Sequence, residues 1–259
     1  MVRPGAVVAE RHRRVRADEH RARVAHPRGN PGRVGIRGDG VGAFGAVHYA
    51  LRYNNAFWNN DCFCMSFGDG DGVNLKPLVS IDIMGHEVSH GVTHATADLI
   101  YSGESGGLNE ATSDILGTGV EFYTNNALQP PNWFIGDTIF VTPGPGKYIR
   151  SMFKPSMDGI SFDCYVAKVG NNSFGAFDPH YTSGVANRFA YLLSEGAVVP
   201  AGFGAGTSYN LTPSSLVCNG DTATTGIGRA KTAAIWYRAM DVYFTSSTTY
   251  PQARTATLN

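Results

Sequence analysis

Two histidines stand four residues apart in His86-Glu87-Val88-Ser89-His90. A helix with that spacing puts both imidazoles on one face, one turn apart. A zinc ion takes three or four ligands at about 2.0–2.3 Å, a reach that two such imidazoles meet without strain. Glu87 falls on an adjacent part of the helix surface. It is badly angled for a third ligand but suits a general base acting on a metal-bound water. Twenty residues past His90 stands Glu110, with Asp114 four further on. On one helical face Glu110 closes the zinc site as an oxygen ligand. Asp114 accepts the free N–H of a ligand histidine and fixes its tautomer. A chance His-Glu-x-x-His on a surface helix is the plainer reading, but chance does not also supply the spaced Glu and Asp.

These groups require a helix entered through Asp82-Ile83-Met84-Gly85 and a second helix around Glu110. The aromatic content of Val47 to Phe57 predicts a strand. Gly68 to Gly72 reads as a tight acidic turn. It is not an EF-hand loop, because the twelfth position is Ser80 rather than Glu. Residues 125–147, rich in Pro, Gly and Asn, read as a boundary between lobes. A helix is expected from Thr182-Ser183, either of which can cap it, to about Glu195, with Gly196 ending it. Residues 197–228 read as loop, and Ala230 to Phe244 as helix.

Composition is that of a loop-rich globular chain, with 42% apolar residues, 16% charged and 32 glycines among 259. No apolar run approaches the roughly 18 residues that span a bilayer. The net charge of zero hides an asymmetry, since residues 1–40 hold ten of the 21 basic residues and four of the 21 acidic ones. The remainder is mildly acidic, which argues against a nucleic-acid partner. The Arg-rich segment, taken as residues 1–43, reads as a solvated or non-native stretch rather than a domain or a nucleic-acid arm. Four cysteines, Cys62, Cys64, Cys164 and Cys218, fit an exported protein with two disulfides. Cys62 and Cys64 are too close to pair comfortably with each other, which leaves cross-pairing with Cys164 and Cys218 open, but the connectivity is not readable from sequence.

The residues from about His48 onward resemble the thermolysin family of neutral zinc endopeptidases. The resemblance is carried by Tyr53-Asn54-Asn55-Ala56-Phe57-Trp58-Asn59, Gly68-Asp69-Gly70-Asp71-Gly72, the run from Asp82 to Tyr123, Arg150-Ser151-Met152, and Asp178-Pro179-His180-Tyr181-Thr182-Ser183-Gly184. It implies an α+β fold of two lobes. The zinc helix lies between a β-rich lobe, here short and represented by residues 44–125, and a mainly helical lobe, residues 126–259. It also implies that the strand ending at Phe57 edges the cleft and that substrate adds to it through Asn55 and the Ala56 carbonyl.

By the same resemblance Tyr101 and His180 face the substrate carbonyl oxygen, with Asp178 orienting His180. Some members carry the orienting Asp where this chain has Gly175. Arg150 would hold a substrate carbonyl by a forked pair of hydrogen bonds. Leu75, Leu78, Ile83 and Ile149 match positions lining the primed-side pocket, which implies cleavage on the amino side of bulky apolar residues. Asp82, Glu121 and Asp137 match calcium ligands. Asn132 and Phe134 replace acids found in well-studied members, so a single calcium is expected rather than a pair.

The chain is thus expected to be a secreted, monomeric, zinc-dependent endopeptidase acting on protein or peptide substrates, without nucleic-acid or membrane partners. Family members carry a signal peptide, a propeptide, a fuller β lobe and one more helix, so the chain reads as incomplete at both ends. A catalytically inactive zinc-binding fragment is the second expectation. A zinc hydrolase acting on something other than peptides is the third.

Overall fold

The computed structural model describes residues 14–15 and 34–259. The expectation for the Arg-rich segment otherwise lies outside the described residues up to residue 33. Its end does not stand apart from the fold, because Ile36 is only 9% exposed and belongs to the largest core cluster.

Two helices form the centre. Helix α1 (Ile81–His94) begins with Asp82 in its first turn, where a carboxylate suits the positive end of the helix dipole. Helix α2 (Gly103–Thr124) ends at Asn125, whose left-handed backbone (φ 43°) stops the helix. The two cross closely at glycines, since a Cβ on Gly85 would lie 2.8 Å from the Gly117 Cα. Helix α2 is buried without a break from Ser105 to Thr118. It packs on α1, on α3 (Pro179–Thr182), on α4 (Gly184–Glu195), on α5 (Arg229–Arg238) and on α6 (Tyr250–Ala256). Leu108, Ala111, Ile115 and Leu116 meet Ala186, Ala190, Trp236 and Met240 in the largest core. That core draws residues from either side of the expected lobe boundary at 125–147, because α2 is enclosed by both.

Beside α1 lies a sheet of four short strands in the order β1-β2-β4-β3. They are β1 (Arg14–Val15), β2 (Phe44–Ala46), β3 (Ala56–Asn59) and β4 (Cys64–Phe67). Strands β3 and β4 are antiparallel, with Ala56 opposite Phe67, and β3 is an edge. A second pairing, β5 (Phe134–Ile135) with β6 (Arg150–Ser151), sets Ile135 opposite Arg150. A third joins β7 (Lys168–Val169) to β8 (Asn172–Ser173). The architecture is α+β, as the resemblance implied.

Several local expectations need correction. The strand expected over Val47–Phe57 is confined to β3. His48, Ala50 and Arg52 adopt positive φ of 63°, 54° and 55°, which no strand tolerates. The aromatic residues instead cluster edge to face, Tyr49 against Tyr53 and Phe57 at 5.1 and 4.8 Å between ring centres. The disulfides are Cys62–Cys64 and Cys164–Cys218, not cross-paired. Phe63 between the first two has φ 51°, and that reversal brings their Cα atoms to 5.2 Å, within bridging distance. Neither Thr182 nor Ser183 caps a helix with its side chain. Asp178 caps α3 by accepting from the His180 N–H, while Gly196 does end α4. The helix expected over Ala230–Phe244 is α5 followed by one π-turn at Ala239–Tyr243. Helix α6 was not foreseen. Pro251 at its start and the reciprocal Thr249–Gln252 capping pair define it.

Candidate metal centre and cleft

Helix α1 presents His86 and His90 with their Nε2 atoms 3.1 Å apart. Helix α2 brings Glu110 to them, with Oε2 3.3 Å from His86 Nε2 and Oε1 3.5 Å from His90 Nε2. Ligands arranged tetrahedrally about 2.0–2.1 Å from one zinc ion are about 3.3 Å apart, so the three groups fit that ion. Glu110 Oε2 is buried and has no hydrogen-bond partner. A buried orphaned acceptor is costly unless something else occupies it.

The other nitrogens of both imidazoles are engaged. His86 Nδ1 lies 2.8 Å from Asp114 Oδ1, and His90 Nδ1 lies 2.7 Å from Asn109 Oδ1. Each acceptor holds the ring proton at Nδ1, so the Nε2 lone pairs face one common point. Burial pushes His90 down to about 4. Burial also opposes charge on His86, yet Glu110 and Asp114 outweigh it and raise this group to about 10. The carboxylates thus favour positive charge where a cation would sit.

Glu87 is buried beside this centre, and burial pushes its carboxyl up to about 7 against the pull of His86. A backbone hydrogen bond from Trp58 on edge strand β3 also reaches it. Tyr101 is 50% exposed, and its hydroxyl donates to Glu110 Oε1. Burial, then Glu110, keep that phenol protonated. His180 Nε2 lies 3.4 Å from the Tyr101 hydroxyl and 3.6 Å from Glu110 Oε1. Its Nδ1 lies 2.8 Å from Asp178 Oδ1. Asp178, not the position of Gly175, therefore supplies the carboxylate bonded to the ring. A Cβ on Gly175 would lie 3.0 Å from the Glu104 backbone nitrogen, which leaves little room for a carboxylate there.

Arg150 lines the cleft and is also tied down from behind. One edge of its fork is closed on Asp114, with Nε 2.7 Å from Oδ2 and Nη2 2.7 Å from Oδ1. Asn187 Nδ2 adds a further bond to Asp114 Oδ2 at 2.7 Å. Burial raises the Asp114 carboxyl, but Arg150 and His86 hold it well below the usual carboxylate range.

A cleft of about 990 Å³ runs past these groups. Asn55 and, on the β3 edge, Ala56 and Trp58 line it, as do Leu75, Leu78, Ile83, Ile135 and Ile149. Glu87, Tyr101, Arg150, Asp178 and His180 open onto the same space.

A second group of acids draws on the first turn of α1, the last turn of α2 and Asp137. Oxygens of Asp82, Glu121 and Asp137 all lie within 4.8 Å of one another. Asp82 Oδ1 and Asp137 Oδ1 are buried without partners. Burial and the neighbouring Asp82 push Glu121 up to about 8, and burial raises Asp137 as well. Asn132, where an acid was expected by resemblance, donates from Nδ2 to Asp137 and from its backbone to Glu121. An all-oxygen, charge-crowded cluster suits a hard cation.

Two supporting residues escaped the sequence reading. Asn109 adjoins Glu110 in the motif, and its position one residue before a ligand was the available signal. Asn187 lies 73 residues from Asp114 and carries no local signal.

The chain matches the family model for the thermolysin metallopeptidase catalytic domain over residues 28–94 and that for its alpha-helical domain over residues 97–259. It is 49% identical over 227 residues to a transglutaminase-activating metalloprotease of Streptomyces mobaraensis, covering 88% of this chain and 28% of that protein. It is 44% identical over 209 residues to bacillolysin of Bacillus cereus, covering 80% and 32% respectively. A solved precursor of protealysin, a metalloproteinase from Serratia proteamaculans, aligns with TM-score 0.61 and 27% identity over 87% of this chain and 64% of that one. The chain spans about a third of the length of the curated relatives it matches.

Proposed function

Because the chain belongs to the thermolysin metallopeptidase family, we propose that it is a zinc-dependent endopeptidase. The observation that carries this reading is the convergence of His86, His90 and Glu110 on one point beside the buried Glu87, at the floor of an open cleft.

His86, His90 and Glu110 would hold zinc, with Asp114 and Asn109 fixing the two imidazoles. Zinc supplies Lewis acidity, which polarises a peptide carbonyl and makes water a nucleophile near neutral pH. Glu87 accepts the proton of the attacking water and passes it to the leaving amine. Burial, which raises this carboxyl, makes it a better proton acceptor for that exchange. The Tyr101 hydroxyl and, with both ring nitrogens protonated, the His180 Nε2–H donate to the carbonyl oxygen as it gains charge. Asp178 holds His180 Nδ1, which leaves Nε2 to face the cleft. Water is the nucleophile, so no acyl-enzyme forms.

Substrate backbone would bind along Asn55 and the Ala56 carbonyl as an added strand. Arg150 offers it the N–H groups outside the Asp114 pair. The aliphatic wall of Leu75, Leu78, Ile83 and Ile149 favours a bulky apolar residue on the carboxyl side of the cleaved bond. Asp82, Glu121 and Asp137 would hold one calcium ion. The edge strand and both central helices, residues 44–125, and the helical part, residues 126–259, act as two lobes on either side of the cleft. The protein would work outside the cell, as a monomer, on protein or peptide substrates.

The test is hydrolysis of a quenched peptide bearing Leu or Phe on the primed side, with zinc and calcium and then with a chelator. Chelator-sensitive cleavage is expected. No cleavage with one zinc still bound per chain would leave an inactive zinc-binding protein.

A further inference from the structure

His180 rides on α3, a single turn of four residues. One turn has little stability of its own, because nucleating a helix fixes several dihedrals for one hydrogen bond. Burial does not hold the ring either, since its side chain is 47% exposed. The turn must be held from outside.

Three contacts hold it from below. A Cβ on Gly106 would lie 2.9 Å from Pro179 Cγ, and one on Gly107 would lie 2.4 Å from Thr182 Oγ1 and 2.6 Å from the Tyr250 hydroxyl. These two glycines let α3 settle onto α2 just before Glu110. The third contact is the Tyr250 hydroxyl itself, which donates to the Thr182 carbonyl at 2.6 Å. That carbonyl sits at the break between α3 and α4. Ala186 and Asn187 both donate to the Ser183 carbonyl instead, so the helix ladder passes Thr182 by. Thr182 is fully buried, and an unpaired carbonyl there would be costly.

Tyr250 is in turn fixed to α2. Its backbone N–H donates to Glu104 Oε2 at 2.8 Å, and Glu104 Oε1 accepts from the Tyr165 hydroxyl at 3.2 Å. Glu104 stands in the first turn of α2, six residues before Glu110. A continuous path therefore runs from the helix of the third metal ligand through Glu104, Tyr250 and Thr182 to His180.

We propose that Tyr250, anchored by Glu104, is a positioning residue for His180. Its hydroxyl sets the height and tilt of α3 and so the distance of His180 from Tyr101 and Glu110. This rests on the endopeptidase reading for its catalytic consequence, but the positioning can be read without turnover.

Tyr250→Phe removes the hydroxyl and keeps the ring. Leaving the buried carbonyl unpaired and displacing the turn is expected to lower kcat about tenfold, with KM changed less than about twofold and zinc content unchanged. In a His180→Ala background the same substitution is expected to change kcat less than about twofold, because two residues acting through one step are not additive. A loss of similar size in both backgrounds would overturn the proposal and make Tyr250 a general packing residue. Glu104→Gln carries the same comparison should Tyr250→Phe not fold. If the parent chain cleaves nothing, the endopeptidase reading fails by itself. Hydrogen exchange then decides the positioning. The Ser183 amide, bonded to the Pro179 carbonyl at 2.9 Å, should exchange about tenfold faster in Tyr250→Phe while α1 amides hold. Unchanged exchange at Ser183 would overturn it.

Discussion

Arg150 closes one edge of its guanidinium fork on Asp114, Nε to Oδ2 and Nη2 to Oδ1, each at 2.7 Å. Asp114 is fully buried and also holds His86 Nδ1. One carboxylate thus ties the cleft wall to the His86 ring. Arg150→Lys keeps the charge but cannot span both oxygens. Removing one partner of a buried pair typically costs about 3–5 kcal/mol, and disturbing a group behind a metal ligand weakens metal binding about 10–100-fold. Chelator competition on Arg150→Lys and Asp114→Asn should show zinc affinity falling in both, more in Asp114→Asn. Unaltered affinity in Asp114→Asn would remove the coupling to His86.

Glu87→Gln should keep zinc stoichiometry while peptide hydrolysis falls by about 10²–10⁴-fold, the usual contribution of a positioned general base. Metal content by atomic absorption and turnover of the quenched peptide, measured on the same preparation, separate this from loss of metal.

The acid cluster makes stability depend jointly on pH and cation. Burial and Asp82 raise Glu121 from 4.5 to about 8. A carboxyl whose pKa is raised on folding binds its proton more tightly in the folded chain. Its stabilising effect is complete below 4.5 and is lost as pH rises through about 8. In chelator, the melting temperature should therefore fall across that window. Excess calcium should suppress the fall, and apparent calcium affinity should increase with pH over the same range. A melting profile identical with and without calcium at pH 8 would exclude a cation at this cluster.

The crossing of α1 and α2 depends on glycine. A Cβ on Gly117 would lie 2.8 Å from the Asp82 carbonyl oxygen and 2.9 Å from the His86 backbone nitrogen. Gly117→Ala is expected to lower stability by about 1–3 kcal/mol, the usual effect of overpacking. Because the displaced residue is His86, zinc affinity should fall with it. Denaturant titration and metal competition on the same variant test both.

The two disulfides should differ in effect. Cys164 and Cys218 close a loop with a sequence separation of 54, against 2 for Cys62 and Cys64. Chain entropy assigns about 4 kcal/mol to the first closure and less than half of that to the second. Replacing each pair by Ser and comparing melting curves reads the difference directly.

The cluster of His86, His90 and Glu110 was legible because its spacing is local. Four-residue spacings in His86–His90 and Glu110–Asp114 become shared faces as soon as a helix forms, and α1 and α2 did form there. The same holds for Asp178 and His180, two residues apart and bonded at 2.8 Å. Where backbone reversal at a non-glycine residue was needed, sequence reading failed. Nothing in Val47 to Phe57 announces positive φ at His48, Ala50 and Arg52, and nothing in Cys62-Phe63-Cys64 announces that Phe63 turns the chain enough to bridge its neighbours.

By itself the sequence determined which side chains converge as a possible cation site and which carboxylate stands beside them, since helical periodicity converts spacing into direction. Only the tertiary structure decided what Arg150, Asn187 and Tyr250 do. Their partners Asp114 and Thr182 lie 36, 73 and 68 residues away. Each contact exists because burial leaves a charge or a carbonyl that must be paired, and which group arrives to pair it is set by how the helices pack, not by any pattern along the chain.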